Sequence, residues 1–196
     1  MRFFFDTEFI EDGHTVDLIS IGIVDDIGRD FYCCNSECNL EKANPWVEEH
    51  VLPFLPPFIS AIWTNREEMK RRILAFVEES PLNDAPHEFW AYYADYDWVA
   101  LCQLFGPMVE LPKGWPMYCR DLKQLIDISA PHVMLSENPQ EHNAICDARW
   151  VRDSWIKIMS TVYEKGTDVE WFDDAYIEYC KHIKNYKALK EMEKGF

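Results

Sequence analysis

The chain has 196 residues, 48% of them hydrophobic and 15% aromatic, enough apolar material for one substantial core and too much for a disordered chain. Thirty-five Asp plus Glu against nineteen Lys plus Arg give a formal net charge of -16, which argues against an extended basic surface for long nucleic acid. No apolar run approaches the roughly 20 residues of a membrane-spanning helix, so a membrane protein of the helical kind is excluded as well.

The opening Arg2-Phe3-Phe4-Phe5-Asp6-Thr7-Glu8-Phe9 reads as an aromatic-rich strand. A second strand is predicted over 16–24. The turn residues Asp25-Asp26-Ile27-Gly28 then return the chain into a third strand over 29–34, completing an antiparallel meander. Pro45, Pro53, Pro56 and Pro57 limit regular structure in the next stretch to a short helix over 46–50. Thr64-Asn65-Arg66-Glu67 has the spacing of a capping box, and Met69, Ile73, Phe76 and Val77 follow at helical intervals, so a helix is predicted over 65–79. A strand over 89–94 precedes a helix through Trp98, Leu101, Cys102 and Phe105 that stops at Gly106-Pro107. Met117-Tyr118-Cys119 reads as a short strand before Leu122 to Ile126. Helices are expected over 141–163 and 171–193, with Gly166 between them.

This order predicts a mixed α/β fold, a sheet beginning with the meander and flanked by helices. One domain is expected over 1–196, with 167–196 as a C-terminal helical extension. The seven cysteines form no paired C-x2-C arrangement and no secretory leader precedes the first strand. Reduced thiols in a cytoplasmic protein are therefore expected.

Three acidic segments carry the chemistry. Asp6 and Glu8 stand at i and i+2 of a strand, so both project from one face of an otherwise apolar segment. Taken alone, the pair also suits an exposed sheet edge. In Tyr92-Tyr93-Ala94-Asp95-Tyr96-Asp97-Trp98, Asp97 falls where a strand gives way to a helix and can enter a crevice. Asp95 competes for that role, and either residue could instead cap the helix. In Glu141-His142-Asn143-Ala144-Ile145-Cys146-Asp147, the five-residue spacing is a poor helical match. His142 is therefore expected at the helix entrance or on its preceding loop, with Asp147 reaching inward from the helix.

Together, Asp6-Thr7-Glu8, Tyr96-Asp97 and His142-x-x-x-x-Asp147 resemble the three motifs of the DEDDh 3'-5' exonucleases, the histidine-containing branch of the RNase-D/oligoribonuclease-like superfamily. More narrowly, Met1 through Trp150 resembles a compact group of bacterial and phage 3'-5' exoribonucleases, including a mycobacterial enzyme. The opening 6–13 and His142-Asn143-Ala144-x-x-Asp147-Ala148 are the specific pieces. The middle motif departs from the common form, with Tyr93 where an Asn often precedes the Tyr-Asp pair, and the choice between Asp97 and Asp95 stays open.

The resemblance implies an RNase H-like fold and two divalent cations, Mg2+ or Mn2+. The cations would be held by Asp6, Glu8, Asp97 and Asp147, with Asp6 on both ions and Glu8 on the water-activating one. Hard cations favour oxygen ligands, which gives bare carboxylates a reason to converge. His142 would be the base, an imidazole having an unperturbed pKa of about 6.5. The implied products are nucleoside 5'-monophosphates from the 3' end or a short overhang of RNA. An exodeoxyribonuclease, a broad single-strand exonuclease and a catalytically silent RNA-binding module are the alternatives.

Candidate substrate contacts are Phe9, Ile10, His14, Tyr93, Tyr96, Arg120 and Arg149, while Trp90, Tyr92 and Trp98 suit core packing better. Lys70-Arg71-Arg72 and Lys123 offer phosphate contacts or a solvated face. The resemblance also implies a homodimer; Trp171, Phe172, Tyr176, Tyr179 and Tyr186 suit either its contact surface or packing back against their own domain.

Overall fold

A six-stranded mixed sheet organises the computed structural model, which describes residues 1–80 and 86–164. Strands β1 (Arg2–Glu11), β2 (Val16–Asp25) and β3 (Asp30–Asn35) form the expected antiparallel meander. Strands β4 (Trp63–Thr64), β5 (Glu88–Ala91) and β6 (Arg120–Asp121) join in parallel to β3, β1 and β5 respectively. The order across the sheet is β4-β3-β2-β1-β5-β6, which puts β1 in the interior. The helices are α1 (Pro45–His50), α2 (Arg66–Glu78), α3 (Asp95–Gln103), α4 (Leu122–Ser129) and α5 (Ala144–Glu164).

The period of two along β1 divides the core into two layers. Phe3 and Phe5 join Ile73 and Val77 of α2 and Leu101 of α3 on one face. Phe4 packs on the other face with Leu125 of α4 and Val151, Trp155 and Ile158 of α5. The same alternation carries Asp6 and Glu8 to the Phe4 side, toward α5. A register shift against β2 between Glu8 and Phe9 interrupts the regular pairing beside these carboxylates, and the strands stay paired in the new register to Glu11.

Helix α5 lies on the sheet through Ala144, Ala148, Val151, Trp155 and Ile158, all buried at alternating intervals of four and three. Its first turn approaches unusually closely. Gly22 pairs with Asp6 across β1 and β2, and a Cβ on it would stand 2.3 Å from the Ala144 carbonyl oxygen. A side chain there is sterically impossible without moving α5 or the strand, so Gly22 sets how near α5 comes to Asp6.

Several boundaries differ from expectation for local reasons. The cap of α2 is Asn65, whose side chain accepts from the Glu68 backbone N–H, while Thr64 is used by β4. Strand β5 ends at Ala91 because Tyr93 adopts φ 57, which no strand accommodates. The strand expected at 117–119 forms at Arg120–Asp121, opposite Trp90 and Ala91, and Met117 and Tyr118 are exposed. The final described helix starts at Ala144 rather than 141, since His142 at φ 66 cannot be helical.

Cys33, Cys34, Cys38, Cys102, Cys119 and Cys146 are free thiols. Among the described residues no helix is long and apolar enough to cross a membrane. The helix expected over 171–193, with the aromatic residues proposed for dimer contact, lies outside the described residues.

Candidate active site

Asp6 and Glu8 on β1 meet Asp147 from the first turns of α5, and ligand oxygens of the three lie within 4.8 Å of one another. They open onto a cavity of about 550 Å3 that is also lined by Asp97 and His142. Asp97 is buried at the start of α3, whereas Asp95 is exposed and absent from the described lining. Two acidic groups thus come from a strand interior and one from each of two helix beginnings, all facing the same space.

Asp97 and Asp147 are each held by identifiable donors. The Thr7 backbone N–H and hydroxyl both donate to Asp97 Oδ1, at 2.9 and 2.6 Å. Thr7 points to the face opposite Asp6 and Glu8, so one tripeptide supplies two carboxylates to the cavity and the anchor for a third. Asn143 caps α5 through its Oδ1, which accepts from Cys146 N at 3.4 Å. In return Asp147 Oδ2 accepts from Asn143 N at 3.1 Å, and Asp147 Oδ1 accepts from Asn138 Nδ2. His142 precedes this cap, and its left-handed backbone turns the chain so that a loop histidine and a helical aspartate five residues apart share the cavity. Tyr93 and His142, the two described non-glycine residues at positive φ, both line the cavity, and such strain persists only where packing enforces it.

Crowded, buried carboxylates resist ionisation. Burial pushes Glu8 up to about 8, with the charges of Asp147 and Asp97 adding to it. Asp6 rises well above the ordinary carboxylate range, through burial first and then Asp97, Glu8 and Asp147. Burial takes Asp97 to about 6 against the opposing Thr7 hydrogen bonds, and takes Asp147 to about 6 against the backbone donors of Asn143 and His142. This donor set fits a divalent cation: hard oxygen ligands, converging, with a repulsion that a cation's charge would reverse.

The expected substrate residues separate into two groups. Phe9, Tyr93 and Tyr96 line the cavity, and the Phe9 and Tyr96 rings stack at 5.7 Å and 14°. Ile10 instead packs into the core with Ile19, Val47 and Val51. His14 is exposed in the β1–β2 turn, its backbone N–H donating to Asp12. Arg120 lies against the Trp90 and Tyr118 rings and pairs with Glu88, bordering a separate cavity. Arg149 pairs with Asp30 and borders a third cavity that shares Asn138 and Trp150 with the acidic one.

Arg71 and Arg72 are both paired with Glu68, and Lys123 with Asp127. Trp90 and Trp98 are core residues, but Tyr92 lines the acidic cavity, where it packs edge-on against Trp150. Sequence reasoning missed Thr7, Asn138 and Asn143 as anchors. Asn143 could have been found as a cap residue directly before an apolar helical run, whereas Asn138 carries no such signal.

Residues 1–159 match the family model described as Rv2179c-like, 3'-5' exoribonuclease Rv2179c-like domain. The 3'-5' exoribonuclease Rv2179c of Mycobacterium tuberculosis (strain ATCC 25618 / H37Rv) is 44% identical over 149 residues, which are 76% of this chain and 88% of that protein. The 3'-5' exoribonuclease MT2234.1 of strain CDC 1551 / Oshkosh has the same identity and coverage. The solved structure of S. pombe Pop2p in its Mg2+ and Mn2+ bound form aligns with a TM-score of 0.58 at 14% identity, covering 86% of each chain. That likeness is one of fold, and the mixed sheet with its antiparallel meander is the expected RNase H-like arrangement.

Proposed function

The chain belongs to the Rv2179c-like 3'-5' exoribonuclease family, and from that premise we propose that it removes nucleoside 5'-monophosphates from RNA 3' ends or short overhangs, assisted by two divalent cations, Mg2+ or Mn2+. The observation that carries this reading is the convergence of Asp6, Glu8 and Asp147 within 4.8 Å at a cavity that Asp97 and His142 also line.

Asp6, Glu8, Asp97 and Asp147 are the residues that would hold the cations. When bound, the cations supply Lewis-acid activation of water and neutralise charge developing at the phosphate. Thr7 fixes Asp97, and Asn138 and Asn143 fix Asp147, so these two carboxylates are oriented before substrate arrives. His142 takes the proton from the attacking water. Phe9, Tyr93 and Tyr96 offer ring faces to the terminal bases, a contact that tolerates any base. None of the described lining residues is Lys or Arg, so the cavity suits a strand end whose charge is met by cations rather than a long duplex.

Digestion of end-labelled RNA and DNA, single-stranded and overhanged, with Mg2+ and Mn2+ added separately, tests polarity, sugar preference and cation together. RNA shortened from its 3' end with release of 5'-monophosphates is expected, and chelation should abolish it. A DNA preference of about tenfold or more, equivalent to about 1.4 kcal/mol in the barrier, would overturn the substrate assignment. Undiminished activity in both Asp6→Ala and Asp147→Ala would overturn the metal-dependent reaction.

A further inference from the structure

His142 stands at φ 66, a conformation that its surroundings must enforce. Among the described residues, the ring contacts of its imidazole are aromatic and come from α1, a segment far away in sequence. The His142 ring packs edge-to-face with the Trp46 indole, centroids 4.7 Å apart and planes at 80°. Trp46 in turn stacks on His50 at 4.8 Å and 12°, and the His50 and His142 rings lie 6.0 Å apart at 89°. The three rings thus contact one another in a closed set.

The support under them is rigid. Asn44 caps α1 by accepting from Val47 N at 3.0 Å, and Pro45 occupies its first turn. Val47 and Val51 anchor the segment against Ile10 and Ile19. His50 Nδ1 lies 3.0 Å from the Trp46 carbonyl oxygen. A second tie joins the two segments, Asn143 Nδ2 donating to the Phe54 carbonyl at 3.4 Å. Trp46 is absent from the described cavity lining and remains 49% exposed, so its indole is poorly explained as core and well explained as a platform for one neighbour.

A catalytic imidazole is ordinarily oriented by a hydrogen bond to its second nitrogen. We propose that Trp46, braced by His50, does this by ring packing and is a positioning residue for His142. The inference rests on the assignment of His142 as the base. An edge-to-face aromatic pair favours one ring orientation by roughly twofold to tenfold, and that range bounds the expected loss.

The test uses the full chain with labelled single-stranded RNA and Mn2+. Trp46→Leu, which keeps apolar bulk under the loop, and Trp46→Ala should lower kcat by about five- to tenfold with KM within about twofold, while Trp46→Phe restores most of the rate. In a His142→Ala background the Trp46→Leu change should cost nothing further. An equal cost with and without His142 would overturn the positioning role. In the chelated protein, the His142 ring-proton resonance, assigned by its loss in His142→Ala, should move in Trp46→Leu and return in Trp46→Phe. An unmoved resonance would overturn the contact. Wild-type rate in His142→Ala would instead overturn the base assignment itself, a result separable from failure of the Trp46 contact.

Discussion

Replacing Glu8 by Gln in chelated protein tests the acidic centre without reference to substrate. Glu8 is pushed from 4.5 up to about 8 by burial first, then by Asp147 and Asp97. The folded protein therefore keeps a proton that the unfolded chain releases near the ordinary value. Stability from this group is complete below pH 4.5 and is lost as pH rises toward 8, with a limiting slope of about 1.4 kcal/mol per pH unit. Between pH 5 and 8 the loss from Glu8 reaches up to about 4 kcal/mol. At roughly 2–4 °C per kcal/mol for a chain of this size, Tm should fall by about 8–16 °C. Asp97 and Asp147, each raised to about 6, add their share below that pH.

The Gln amide has no proton to release, so the fall above pH 6.5 should become shallower, with the raised Asp6 supplying what remains, and the variant should exceed wild type in Tm at pH 8 with chelator present. Mg2+ should reverse the order. A ligand at a hundred times its Kd stabilises by about 2.7 kcal/mol, and the variant, lacking one anionic ligand, should gain less. Scanning calorimetry over pH 5–8, with chelator and with Mg2+, reads both effects. A flat wild-type profile matched by the variant would mean that Glu8 is ionised and solvated in the folded protein, and the reasoning from burial would fail.

Thr7→Val removes the hydroxyl donated to Asp97 at 2.6 Å and leaves the backbone donor; kcat should fall about tenfold with a stability loss of about 1–3 kcal/mol, while Thr7→Ser keeps both. Wild-type kcat in the Val variant would show that the anchor is dispensable. Gly22→Ala places a Cβ 2.3 Å from the Ala144 carbonyl, and the required shift of α5 should cost about 1–3 kcal/mol in denaturant melts and displace Asp147. Gly13→Ala, at φ +80 with nothing within 4 Å, is the control: a loss of about 1 kcal/mol with kcat unchanged. Because the described cavity lining holds no basic side chain, KM for short RNA should rise only about three- to sevenfold between 50 and 200 mM salt, the dependence of one or two phosphate contacts; a hundredfold rise would reveal a basic track elsewhere.

Much of the scaffold was legible because its signals are local. The triple Phe run and the alternation around it specify a strand buried on both faces, and the meander follows from turn residues at the right interval. Metal-ligand candidates were legible from segment chemistry, since Asp6 and Glu8 must share a face whichever sheet they join. Boundaries next to the cavity were less so. Tyr93 and His142 take left-handed backbones that neither propensity nor pattern signals, and each shortens the element expected to contain it.

The basic residues were the least legible. Arg120 and Arg149 have side chains suited to phosphate, yet Glu88 and Asp30, distant in sequence, engage them outside the acidic cavity. Ile10 was equally ambiguous beside the metal motif until the packing of Val47 and Val51 turned it into core.

By itself, the sequence determined the strand meander, the common face of Asp6 and Glu8, and a place for His142 at the helix entrance or the loop before it, because period-two alternation and helical spacing act within a few residues. Only tertiary structure decided that Asp147 reaches those carboxylates, that Asp97 rather than Asp95 faces them, and that Trp46 meets His142. Those outcomes depend on how closely α5 approaches Gly22 and on contacts between segments tens of residues apart. Packing sets such distances, and no local pattern encodes them.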